Sequence, residues 1–192
     1  MYYAEQYALT FFDSQDKIDK VLKDICNILE SREKRKKDVI TSESEMIYEV
    51  RSIIGVEFDQ FLDSLKTEEV LLLLQYRNIK DKVCRRLRNG GHKHEWCPVS
   101  RYIIFKMWGL SVNDIKTYIS LTSEVYFSVN GRISKHGEGC SSDAHNEIFD
   151  LIELSKNFND YKQRLNKWAD EHLTNKYGEK TSRKFLPLGL QV

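Results

Sequence analysis

Asn89-Gly90-Gly91-His92-Lys93-His94-Glu95-Trp96-Cys97-Pro98-Val99 is where this chain changes character. The Asn-Gly-Gly run tolerates the left-handed backbone that ends helices. Before it, apolar residues recur at the 3.6-residue period of buried helix faces. After it come a Trp, a Cys and a Val, with Pro98 marking an edge or an end, which fits a short strand over 94–99. A helical first half therefore meets a mixed second half. The expected class is α+β and mostly helical, with a helical region over 1–89 and a small strand/loop/helix core within a second domain over 90–192.

Upstream, Asp13 or Ser14 can cap a helix carrying Ile18, Val21, Leu22, Ile25, Ile28 and Leu29. It runs into the basic stretch 31–37, read as a solvated helix end where cations suit the dipole. A second helix starts near Thr41–Ser44, with Met46, Val50, Ile53 and Ile54 on one side. Gly55 interrupts it before Phe58, Phe61, Leu62 and Leu65 resume the pattern. Thr67 caps a third, with Glu68 and Glu69 in its first turn and Val70, Leu73, Leu74, Ile79 and Val83 along it. No chemistry is visible in this half.

Downstream, Ser100 caps a short helix with Ile103, Ile104 and Met107, and Ser111 another that runs through Val112, Ile115 and Ile119. The strand signal is strongest over 124–129, and Asn130-Gly131 is a tight-turn signal after it. A polar loop is expected over 132–141. Ser142 with Asp143 opens a helix through Ile148, Leu151, Ile152 and Leu154. Asn159 or Asp160 opens the last, with Leu165, Trp168, Ala169 and Leu173 inward and Gly178 as its stop. The apolar tail 185–190 is expected to pack back onto the body. Trp96, Trp108 and Trp168 suit core better than base stacking.

Bulk composition narrows the class. An apolar content of 41% and a charged content of 31% are those of a folded globular chain, not a disordered one. Residues 1–85 carry 14 Lys/Arg against 17 Asp/Glu, and residues 86–192 carry 16 against 12. The mild positive excess of the second half suits a phosphate-bearing partner. Cys26, Cys84, Cys97 and Cys140 include no Cys-x-x-Cys pair, which argues against a thiolate zinc site and for free thiols. No apolar run is long enough to span a membrane. The first residues lack the layout of a cleaved leader, so a delivered protein would need another carrier.

Four of the five histidines lie between positions 92 and 145, in two groups. The second group is His136-Gly137-Glu138-Gly139-Cys140-Ser141-Ser142-Asp143-Ala144-His145-Asn146-Glu147-Ile148. A one-metal phosphodiesterase needs ligands for a divalent cation, a base to activate water, and cations for phosphate. His136 in a loop and His145 in the first turn of a helix can supply ligands near a helix N-terminus, where anions are favoured. Gly137 and Gly139 would let the backbone approach a metal or phosphate closely. His94 or Glu95 can supply the base. His92 and His172 read as ordinary surface residues. Ser141 and Ser142 lack the elbow or triad order of a serine nucleophile.

The run His94-Glu95-Trp96-Cys97-Pro98-Val99, then Trp108-Gly109-Leu110, then His136-Gly137-Glu138-Gly139 and Ala144-His145-Asn146-Glu147-Ile148, resembles HNH/endonuclease VII-type (His-Me finger) nuclease domains. Those domains occur as C-terminal toxin cassettes of bacterial polymorphic toxins. The resemblance covers roughly 90–175. It implies a ββα-metal core binding one divalent cation, Mg2+ or a transition metal such as Zn2+, and hydrolysing phosphodiesters. It makes His94 and His145 metal ligands, Glu95 the match to the usual histidine base, and His136 a catalytic residue near the phosphate. Glu95 and Cys140 depart from the family pattern, which leaves the base open between His94 and Glu95.

The expected function is thus an antibacterial toxin nuclease acting on DNA ahead of RNA, with Arg101, Arg132 or Lys135 on the phosphates. Its partners would be nucleic acid and a cognate immunity protein, and it would be delivered into the cytoplasm of a target bacterium. Two alternatives stand beside it. One is a metal-independent ribonuclease toxin using a His/His acid–base pair; the other is a non-catalytic protein-binding module.

Overall fold

The computed structural model describes residues 11–32, 40, 42–88 and 90–192. Of the basic stretch 31–37, only Ser31 and Arg32 fall among them. The fold is α+β and mostly helical. Contacts divide the chain into two compact units, Met1–Arg88 with Val99–Asn113, and Asn89–Pro98 with Asp114–Val192. The segment after Pro98 therefore joins the helical unit before the chain enters the second.

The first unit is built from α1 (Gln15–Glu30), α2 (Glu43–Ser52), α3 (Gly55–Ser64), α4 (Thr67–Leu73), α5 (Arg77–Leu87) and α6 (Tyr102–Met107). Helix α1 packs on α2 and α4, α2 on α5, and α4 on α6. Ile25, Leu29, Met46, Val50, Phe58, Phe61, Leu62, Ile79 and Val83 form its dry interior. Helix α2 begins with a reciprocal cap: Ser42 Oγ accepts from Glu45 N–H, and the Glu45 carboxylate accepts from Ser42 N–H, both at 3.2 Å. Gly55 takes a positive φ of 58° where α2 gives way to α3.

The stretch after Thr67, expected as one helix, is two. Buried positions run from Val70 to Leu74 and then resume at Ile79. A five-residue step turns a helical position by about 140°, off the buried face. The chain instead tightens at Gln75 and Tyr76, whose N–H groups donate to Leu72 O at 3.1 Å and Leu73 O at 3.2 Å.

The second unit holds two small antiparallel sheets. Strand β1 (Lys93–Glu95) pairs with β2 (Ile119–Leu121), placing His94 opposite Ser120. Strand β3 (Tyr126–Val129) lies between β4 (Arg132–Lys135) and β5 (Leu173–Thr174). Helix α7 (Val112–Thr117) leads into β2; α8 (Ser141–Leu154) and α9 (Phe158–His172) both pack on β3.

Four sequence expectations change here. The first strand stops at Glu95, and Val99 opens a 3-10 turn. Ile119 continues the Ile115 spacing but belongs to β2. The expected loop over 132–141 begins as β4, and Asn130-Gly131 is the two-residue turn joining β3 to it, with φ of 52° and 73°. The last helix starts at Phe158, where Asn157 Oδ1 accepts from Asp160 N–H at 2.9 Å, and it gives way at Leu173 to β5. Leu186 and Leu190 of the apolar tail are buried, while Leu188 is exposed.

Candidate metal centre

Position 94 is set by what surrounds β1. Trp96 N–H donates to Tyr118 O at 3.0 Å, and Trp96 Nε1 donates to Ser120 Oγ at 2.9 Å. The buried Tyr161 hydroxyl donates to Trp96 O at 2.6 Å. Consecutive strand residues leave on opposite faces, so holding this short strand sends His94 inward while Lys93 stays exposed. His94 is 1% exposed, and neither ring nitrogen has a hydrogen-bond partner.

His136 follows β4 directly. Its N–H donates to Val125 O at 3.0 Å, so the β3–β4 pairing carries one residue past the named strand. The loop after it is tightly bonded. Glu138 N–H donates to Lys135 O at 3.0 Å, Gly137 N–H to Ser141 Oγ at 2.9 Å, and Cys140 N–H to Ser134 Oγ at 3.0 Å. Gly139 has φ of 46°, and a Cβ there would lie 2.1 Å from Ser134 Oγ, so only glycine fits. These glycines serve the turn, with the amides of Gly137, Glu138 and Cys140 spent inside it rather than offered to a phosphate.

His145 lies one turn into α8. Its Nδ1 sits 2.6 Å from Ser141 O. A carbonyl can only accept, so Nδ1 carries the proton and Nε2 keeps the lone pair. This carbonyl partner is the usual device for orienting an imidazole ligand.

The three rings converge. Ring centroids of His94 and His136 are 4.9 Å apart, those of His94 and His145 5.2 Å, and those of His136 and His145 5.0 Å. One nitrogen from each can be chosen so that all lie within 4.8 Å of one another. Phe127 backs all three, at 5.7 to 6.2 Å between centroids, and Trp96 lies edge-on to His94 at 4.2 Å. Burial pushes all three imidazoles below their ordinary range, His94 furthest, and neighbouring histidines add to the effect at His94 and His136. They are neutral ligands in neutral water.

A divalent cation fits this arrangement. Two buried, unsatisfied ring nitrogens on His94 would otherwise carry a desolvation cost with no return. A donor set made only of imidazole suits Zn2+ and its transition-metal neighbours, whereas Mg2+ prefers oxygen. Three histidines are thus placed to hold a metal ion.

The other expected site residues fall differently. Glu95 is outside the cluster: it sits beside His94 on β1, on the opposite face of the strand and opposite Ile119. Arg132, at the start of β4, is exposed and paired with Asp143 at 2.9 Å. Lys135, at its end, is half-buried and adjoins His136. Arg101 ends the 3-10 turn Val99–Arg101 in the first unit. His136, expected as a catalytic or phosphate-side residue, stands with the ligands. His172, expected as surface filler, stacks on Trp168 at 5.2 Å and bonds Ser128 O through Nδ1 at 2.9 Å.

No family model, curated protein sequence or solved structure matches the chain. Among the described residues, no helix is long and apolar enough to cross a membrane.

Proposed function

We propose that the second unit is a metal-dependent phosphodiesterase that cuts nucleic acid, deployed as an antibacterial toxin and restrained in its producer by an immunity protein. The observation that carries this reading is His94: a fully buried imidazole without a protein partner, faced by two more imidazoles at ligand spacing. The β3–β4 hairpin followed by α8 is a ββα order that carries His136 and His145, while His94 and Glu95 lie outside it on β1.

His94, His136 and His145 would hold the ion, leaving the half-exposed side of His136 and His145 towards solvent and substrate. A divalent cation bound there would polarise a phosphoryl oxygen and lower the pKa of water. Ser141 O fixes the tautomer of His145, and Phe127 and Trp96 exclude water behind the rings. Lys135 and Arg132, on the strand that delivers His136, would meet the phosphates.

The donor set favours Zn2+ or a similar transition ion over Mg2+. It also disfavours a metal-independent acid–base pair, which needs one imidazole protonated. Burial keeps all three neutral, and a charge on one ring would raise the cost of a charge on its neighbours. The test is cleavage of plasmid DNA and of RNA by the whole purified chain with Zn2+, Co2+ or Mg2+. The expected result is cleavage that EDTA abolishes and that His94→Ala and His145→Ala lack. RNA cleavage that persists in EDTA while DNA stays intact would return the reading to the metal-independent ribonuclease.

A further inference from the structure

Ser141 is buried, and two of its groups reach two of the three histidine-bearing segments. Its carbonyl takes the Nδ1 proton of His145 at 2.6 Å. Its hydroxyl takes the N–H of Gly137, the residue directly after His136, at 2.9 Å. The same hydroxyl lies 3.5 Å from His145 Nδ1. The main chain of Ser141 is tied in turn, its N–H donating to Glu138 O at 2.9 Å. The serine therefore spans the five-residue gap between the loop that aims one ligand and the helix that carries another.

Resting on the metal reading above, we infer that Ser141 is a positioning residue of the three-histidine centre, and that its hydroxyl acts on the metal through the His136 loop, since the Nδ1 proton of His145 goes to the carbonyl at 2.6 Å and not to the hydroxyl 3.5 Å away. The division follows from the chemistry of the two groups. Replacing Ser141 by alanine keeps the carbonyl, so His145 retains its tautomer and its aim. The same change deletes the acceptor for Gly137 N–H, leaving that amide unpaired and the start of the loop free to turn. Ser134 Oγ still holds the far end of the loop through Cys140 N–H. The loss falls on the His136 side of the loop.

The experiment is Co2+ and Zn2+ titration of the whole chain, followed by cobalt absorption and calorimetry, for the parent, Ser141→Ala, His136→Ala, His145→Ala and the two doubles. Outer partners of metal ligands are worth about 10- to 100-fold in affinity, and Ser141→Ala is expected in that range. Ser141→Ala added to His136→Ala should cost nothing further, because the ligand it positions is already gone. Added to His145→Ala, it should cost its full factor again. A general loss of folding would instead lower affinity in every background.

Full additivity with His136→Ala, or parent affinity in Ser141→Ala, overturns the inference while leaving the metal centre standing. A parent chain that binds neither ion overturns the metal reading, and this inference with it. Should Ser141→Ala fail to fold, Ser141→Cys, which replaces the hydroxyl by a much weaker acceptor for Gly137 N–H and keeps the carbonyl, must show the same non-additivity with His136→Ala. Its failure to do so counts equally against the inference.

Discussion

The two units bury polar groups to opposite ends. In the first, three half-buried cations are spent on the fold. Lys82 donates its ammonium to the carbonyls of Val50, Arg51 and Ile53 at the end of α2, and lies 4.3 Å from the Phe58 ring centroid. Lys106 donates to Leu62 O at 2.8 Å, and Arg86 grips Asp59 through two bonds of 2.6 Å. Tyr102 does bury a hydroxyl without a hydrogen-bond partner, and the charged groups acting on it are the carboxylates of Asp63 and Asp59. In the second unit His94 is buried unpartnered and two further imidazoles turn towards it. A lone unsatisfied group costs stability; three imidazoles converging on one point can recover that cost by binding a cation.

The sharpest way to break this contrast is His94→Leu. An apolar side chain of similar size removes two unsatisfied ring nitrogens, so the metal-free protein should gain up to about 1–3 kcal/mol in chemical denaturation. Metal binding and cleavage should vanish together. A variant less stable than the metal-free parent would mean that His94 is an ordinary core residue with partners of its own. The counterpart in the first unit is Lys82→Met, which keeps the stem and leaves three carbonyls without their donor. It should cost about 1–3 kcal/mol and leave Zn2+ affinity unchanged.

Smaller effects sharpen the same line. Ser42→Ala removes one half of the reciprocal cap on α2 and should cost about 1 kcal/mol, read as a lower denaturation midpoint with no change in metal content. Asp170 is held below its ordinary pKa by hydrogen bonds from the side chain and N–H of Arg183. Its folded pKa lies under the unfolded value of 3.8, so its contribution is complete above that pH and is lost as pH falls through the folded value. Asp170→Asn should therefore be less stable than the parent at neutral pH, with the gap closing below pH 3.8. A gap that persists in acid would assign the effect to packing.

How far the sequence reveals this depends on which force shapes each element. Helices α1, α2 and α3 bury one face, so their periodicity is plain in Ile25, Leu29, Met46, Val50, Phe58 and Phe61. Strand β4 hides because Arg132 and Ile133 are exposed and Ser134 and Lys135 only half-buried, leaving no apolar alternation to read. Its one trace is Asn130-Gly131, a hairpin turn that demands a strand on each side. Strand β2 hides because Ile115 and Ile119 sit at a helical spacing.

At the site, the grouping of His94, His136 and His145 is legible from residue type and from the turn and cap signals between them. The role of each is not. Strand alternation separates Glu95 from the cluster, and the unread β4 is what carries His136 towards the other two. Ser141 reads in the sequence as a serine without triad order; its contacts, a hydroxyl bonded to Gly137 N–H and a carbonyl bonded to His145 Nδ1, have no side-chain motif to signal them.

The most direct test is calorimetric titration of the purified whole chain, stripped of metal, with Zn2+. The account predicts one tight equivalent for the parent and none for His94→Ala, with both proteins folded by circular dichroism. No binding by the folded parent, or equal binding by the two proteins, would contradict it.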